Sequence, residues 1–153
     1  MPLSQNVTFE YACPEDAEFS HPLGLPILRA VAAGLRSDGW SVSDFENWRD
    51  CGWCMECGRS NAAMLIALAS MEGQAWMMQC APSRVPRLFS LFSRKPSATP
   101  GEVLELARAM HALVTKLDGC AGIQWRWDGP PQPGYSTPEP SQHACGRSLS
   151  DAD

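Results

Sequence analysis

The absences in this sequence do much of the sorting. No apolar run is long enough to cross a membrane: the longest, Ala62 to Ala69, falls far short of the roughly 20 residues a spanning helix needs. The opening residues, Met-Pro-Leu-Ser-Gln-Asn-Val, carry neither a basic n-region nor an apolar h-region, so no secretory signal is expected. There is no phosphate loop and no dinucleotide fingerprint; Gly119-x-x-Gly122 follows a helical pattern and is a connector. Histidine is scarce, at 3 of 153 residues, and no nucleophile elbow or oxyanion signature is present. Basic residues are outnumbered, 12 against 17 acids, and the net charge of −5 argues against nucleic acid as partner.

The composition that is present is that of one ordinary folded domain. The hydrophobic fraction is 44% and the charged fraction 19%, which is globular rather than disordered or fibrous. Charge is unevenly placed. Residues 1–81 hold ten acids and four bases, residues 82–128 four and seven, and the remainder three and one. Seven cysteines cannot all pair among themselves. Free thiols in a reducing cytoplasm are the expected setting, where the Asn6-Val7-Thr8 sequon carries no meaning.

Taken in order, Val7, Phe9 and Tyr11 alternate with polar neighbours as a half-buried strand does. Ser20 is a candidate N-cap with Pro22 in the first turn, and Leu23, Ile27, Val31 and Leu35 form a helical stripe closed by Gly39. The stretch from Asp44 to Ala81 is the antiparallel centre. Strands are expected at Trp40–Ser43, Cys51–Cys57, Ala62–Met71 and Gln74–Ala81; composition alone also fits a helix at Ala62–Met71, and the alternating flanks and hairpin-short connections favour the strand. Pro82 to Pro100 is a Pro/Ser/Arg-rich connector. Thr99-Pro100-Gly101-Glu102 is a capping box, and the apolar spacing from Val103 to Leu117 predicts a second helix behind it. Ile123, Trp125 and Trp127 mark a last strand. Residues 1–129 are thus one domain, and residues 130–153, poor in apolar side chains, are expected to form a disordered tail.

Three groups of residues invite a chemical reading. Cys51-x-x-Cys54-x-x-Cys57 suggests a zinc or iron–sulfur site or a redox pair. On a strand, however, Cys54 faces away from the other two, and Cys51 and Cys57 lie about 20 Å apart. No metal or other cofactor is expected, and His111 is read as a boundary residue with one hydrogen bond. Arg84 to Lys95 interleaves bases with Leu88, Phe89, Leu91 and Phe92 and could touch an anionic surface; docking on the domain's own core is the plainer reading. Asp44, Glu46, Trp48, Arg49 and Asp50 combine acids with Trp and Arg, the residues that anchor interfaces. Core capping by Trp48 and an Arg49–Asp50 pair are the alternative for these five.

The element order predicts an α+β domain: an antiparallel sheet of five to six strands with two amphipathic helices packed on one face. The other face is expected to be partly open, with Trp53, Met55, Trp76 and Met78 as candidates for it. The run Asp44-Phe-Glu-Asn-Trp-Arg-Asp-Cys-Gly-Trp, with Arg94-Lys-Pro-Ser and Trp125-Arg-Trp-Asp-Gly-Pro, resembles a small uncharacterised bacterial family over residues 6–130. Proteins of this size, charge and layout include immunity proteins that neutralise secreted toxins. The resemblance implies a protein-binding role and carries over no catalytic residue. The expected function is therefore a non-enzymatic, cytoplasmic binding domain that meets a basic protein partner through Asp44, Glu46, Trp48, Arg49 and Asp50. A thiol-based metal or redox protein and a small enzyme with an unrecognised pocket are the alternatives.

Overall fold

The alternation of Val7 and Phe9 with Thr8 becomes a strand, β1 (Gln5–Glu10), in the computed structural model, which describes residues 4–14, 21–59, 62–83, 98–131 and 133–141. The chain continues through α1 (Leu25–Ser37), β2 (Ser41–Val42), β3 (Glu46–Trp48), β4 (Gly52–Gly58), β5 (Met64–Ser70), β6 (Ala75–Pro82), α2 (Pro100–Val114) and β7 (Ala121–Trp127). This is the expected α+β arrangement. The sheet has seven strands, in the order β2-β4-β5-β6-β1-β7 with β3 also paired to β4, and every pairing is antiparallel. The strand beyond the expected five to six is β3, too short to show a periodicity of its own.

The helices differ from expectation mainly at the start of α1. The N-cap is Gly24, with φ 104°, and Pro26 occupies the first turn; Ser20 lies outside the described residues. A Cβ at Gly24 would stand 2.6 Å from the Trp76 ring and 3.1 Å from Leu68, so this close approach to the sheet fixes where the helix begins. Leu23 therefore precedes the helix and is 60% exposed. The other end is as expected. Gly39 donates to Arg36 O and Trp40 to Leu35 O, the paired bonds of a Schellman motif, with Gly39 at φ 87°. In α2 the Thr99–Glu102 capping box forms in both directions, and the helix ends at Val114, three residues before Leu117.

Both helices lie on one sheet face. Val7, Phe9, Met55, Ile66, Leu68, Met78 and Trp125 share a single buried cluster with Leu28, Val31 and Leu35 of α1 and Leu106 and Met110 of α2. The helices meet closely at Gly34, where a Cβ would lie 2.2 Å from Leu113. The cross-strand register puts Trp53, Met55 and Cys57 on this helix face, opposite Leu68, Ile66 and Met64, and continues to Met78 and Trp76. This overturns the assignment of Met55, Trp76 and Met78 to an open face: they are 1%, 5% and 0% exposed. Trp53 is half-buried on the same side, its indole N–H donating to Pro22 O at 2.6 Å. Period-2 alternation separates two sets of residues but does not say which set meets the helices.

The opposite, second face carries Glu46 and Trp48 of β3, Gly52 and Cys54 of β4, Ala67 and Ala69 of β5, Met77 and Gln79 of β6, and Asn6 and Thr8 of β1. Asn6 is only 2% exposed, which leaves its sequon without an accessible acceptor amide. The segment after Gly129 was expected to lack fixed structure. Within the described residues, 133–141 runs back beside β7, where Thr137 exchanges both backbone hydrogen bonds with Trp125 at 2.7 and 2.9 Å. Arg126 stands over the Tyr135 ring at 5.7 Å. The basic stretch from Arg84 to Lys95 lies outside the described residues.

Candidate functional site

The five residues singled out by sequence fall on one edge of the sheet. The chain enters this edge from β2 with Ser43 bound to β4 twice: its N–H donates to Glu56 O at 2.9 Å, and its hydroxyl oxygen accepts from Glu56 N–H at 2.8 Å. Arg36 of α1 reaches over to the carbonyls of Val42 and Ser43 at 3.5 and 3.4 Å. Asp44 is exposed in the link, Phe45 packs against the core, and β3 then pairs Glu46 with Cys54 and Trp48 with Gly52.

The turn between β3 and β4 is unusual in its residues. Arg49 and Asp50 both adopt left-handed backbone conformations, with φ 54° and 58°, and Cys51 N–H closes the turn on Trp48 O at 3.2 Å. Positive φ at both central positions is the twist that a tight hairpin requires, yet neither residue is glycine. Each costs roughly 1 kcal/mol or more. Asn47 offsets part of this, its side-chain oxygen accepting from Asp50 N–H at 2.8 Å. Gly52 is fixed by proximity: a Cβ there would lie 1.8 Å from Leu68 O of β5. The turn is thus seated on the third strand of the edge and cannot slide.

In this geometry the guanidinium of Arg49 stands over the Trp48 ring, 6.0 Å from its centroid, a cation–π arrangement rather than the Arg49–Asp50 pair considered from sequence. Asp44, Glu46, Arg49 and Asp50 are exposed and Trp48 is half-buried. They do not share one point. Glu46 and Trp48 project on the second face, Asp50 is at the tip, and Asp44 lies at the far end of the edge.

Cys51, Cys54 and Cys57 do not converge. Cys51, expected within a strand, lies in the turn and is exposed, its Sγ donating to Trp48 O at 3.3 Å. Cys54 is on the second face and Cys57 on the helix face. Burial, and then the charge of Glu46, raise the Cys54 pKa. Burial, followed by Glu56, pushes Cys57 up to about 12, and burial, followed by the neighbouring Cys57, raises Cys80. These are protonated thiols at neutral pH, poor as nucleophiles and as metal ligands. Among the described residues no group of three or more His, Cys, Asp or Glu is placed to hold a metal ion.

Beside Ser43 lies a surface hollow of about 270 Å³, lined by Ser41, Ser43, Glu56, Gly58 and Ala63. Its hydroxyls are already used, Ser41 donating to Gly58 O at 3.0 Å and Ser43 to Asp44 O at 2.9 Å. His111 is remote from it, on α2, where its Nδ1 accepts from the indole N–H of the fully buried Trp125 at 3.1 Å. His21 is exposed ahead of α1, and His143 lies outside the described residues. The arrangement offers a shaped, charged edge for contact. A structured turn at Asn47, Trp48 and Arg49 is legible in the sequence, but not that Asn47 is its internal acceptor or that Gly52 is its fixed footing. An Asn three residues before Asp50 is the local signal that was available. Compared with known proteins, the chain matches no family model, and no curated protein matches it.

Proposed function

We propose that this chain is a non-enzymatic binding domain whose β3–β4 edge docks on a basic protein partner, in the manner of an immunity protein neutralising a toxin. The observation that carries this reading is the hairpin turn itself. Two non-glycine residues are held in left-handed conformations to set a guanidinium over an indole, between exposed carboxylates. Backbone strain of this kind concentrates where a surface has work to do, and Trp and Arg are the residues that dominate interface energies. The acids supply complementary charge, which accelerates encounter with a basic surface. The same acidity disfavours nucleic acid, and the free thiols suit the cytoplasm.

The test is native mass spectrometry of tagged protein purified gently from its own cells, beside Trp48→Ala and an Asp44→Lys/Asp50→Lys double variant. The expected result is a stoichiometric second chain of basic pI on the parent. It should be reduced at least tenfold in both variants while their circular dichroism is unchanged. A partner retained equally by both variants would remove this edge from consideration.

A further inference from the structure

We infer that the hollow beside Ser43, at the β2 end of the binding edge, seats an arginine guanidinium of the basic partner; this rests on the partner-binding reading above. The hollow measures about 270 Å³, and Ser41, Ser43, Glu56, Gly58 and Ala63 line it. It has room for about nine waters and falls just below the sites that take whole drug-sized ligands. That is the scale of one long side chain. Its depth comes from Gly58. A Cβ there would stand 2.7 Å from Ala62 O and 3.8 Å from Ser41 Oγ, so the backbone admits no larger residue that could fill the floor. Ser41 is exposed and Ser43, Glu56 and Ala63 are half-buried, so the hollow opens to solvent.

The chemistry of the lining selects the guest. The Ser41 hydroxyl donates to Gly58 O at 3.0 Å and the Ser43 hydroxyl to Asp44 O at 2.9 Å. Each oxygen still has a lone pair, Ser43 even after accepting from Glu56 N–H at 2.8 Å. The nearby carbonyls are engaged: those of Val42 and Ser43 accept from Arg36, and that of Ala63 from Ser83 N–H. A carboxylate has about four lone-pair sites, so Glu56 accepts a new donor alongside its existing contacts. The polar side chains Ser41, Ser43 and Glu56 therefore present acceptors and negative charge, with no donor left over. An anion is repelled and a neutral acceptor finds no hydrogen to bond. A cationic donor is matched at each of the three.

Guanidinium fits better than ammonium. Ser41 and Ser43 are two residues apart, about 7 Å along an extended chain, and Ser43 is tied to Glu56. A planar fork of N–H groups spans separated acceptors that a compact ammonium does not reach together. Arg59, the residue after Gly58, does not fill the place. Its guanidinium is held by Glu105 of α2 at 3.3 Å and by Asp38 O, past the end of α1, at 3.0 Å. Asp44 follows Ser43 and is exposed, so the hollow is continuous with the edge that β3 forms. That continuity makes the guest a side chain of the docked partner.

The experiment is NMR of the full chain, labelled at its backbone amides and titrated with acetyl-arginine methylamide at fixed ionic strength. Acetyl-citrulline methylamide, of the same shape without the charge, serves as the blank. The expected result is saturable shifts at the Ser43, Glu56, Gly58 and Ala63 amides with the arginine probe and none with the citrulline one. Affinity should fall at least tenfold in Glu56→Gln, which keeps the shape, and in Ala63→Leu, which fills the space. Both variants should also bind the natural partner at least tenfold more weakly, with circular dichroism unchanged. Shifts that do not saturate, that bypass these amides or that citrulline reproduces overturn the guanidinium seat. Probe binding with the partner retained in full by both variants overturns its part in docking. If either occurs while Trp48→Ala loses the partner, the hollow is wrong and the binding edge stands. If Trp48→Ala also retains the partner, both readings fall.

Discussion

Gly52 and Cys57, five residues apart on β4, show how much a single position decides here. Gly52 lies against the backbone of β5 so closely that a methyl group would meet Leu68 O at 1.8 Å. Since neither partner is a flexible side-chain end, Gly52→Ala should cost about 2–3 kcal/mol, measured by urea denaturation, and should splay the hairpin before it unfolds the core. Cys57 acts through its proton. Burial, then Glu56, raise its pKa from 9.0 to about 12, so the folded chain keeps a proton that the unfolded chain releases. The associated stability is complete below about pH 9 and is lost as pH climbs from there toward 12. At about 1.4 kcal/mol per pH unit, the parent should lose about 2 kcal/mol more than Cys57→Ala between pH 8 and pH 10.5. Equal losses would mean that Cys57 is solvated. Neither property is written in the residue type: a glycine between Cys51 and Trp53 and a cysteine before Gly58 look unremarkable until β5 is laid beside them.

At the scale of elements, α2 was the most legible piece, because its start depends on neighbours in the chain. Thr99 accepts from Glu102 N–H at 3.3 Å while the Glu102 carboxylate accepts from Thr99 N–H at 2.8 Å. Thr99→Ala should lower stability by about 1 kcal/mol, and a Thr99→Ser variant should recover most of it in the same denaturation series. The start of α1 was misread because two prolines, Pro22 and Pro26, fit a first turn equally well. The choice between them is made by Gly24 against Trp76, a contact between elements far apart in sequence. The strand β3 escaped notice for a related reason: Glu46-Asn47-Trp48 has no hydrophobic alternation, and it is a strand because β4 offers it partners. The five candidate residues were legible as a group. Their arrangement was not, since Arg49 over Trp48 depends on two backbone angles that Arg and Asp rarely adopt. Short, charged edge strands also discourage sheet-to-sheet aggregation, and Arg36 covers two of the edge carbonyls. The acids at this edge therefore suit solubility as well, and the partner experiments separate that role from the recognition proposed for them.

For the whole molecule, the imbalance of charge makes a kinetic prediction. With ten acids against four bases in residues 1–81, association with a basic partner should slow roughly tenfold as ionic strength rises from about 0.05 to 0.5 M. Dissociation should change much less, which stopped-flow mixing resolves. The sheet order has a consequence of another kind. β1 sits between β6 and β7, with Gln5 flanked by Cys80 on one side and Trp127 on the other. During synthesis the ribosome delivers β1 before the other six strands of this sheet, and β7, one of its two neighbours, after the other six. Until Trp127 has cleared the exit tunnel, Val7 and Phe9 belong to a strand with an unfilled side, and the nascent chain holds an open sheet edge beside its most apolar residues. Vectorial synthesis thus makes the completion of this fold a single late event: the last strand closes the seat of the first.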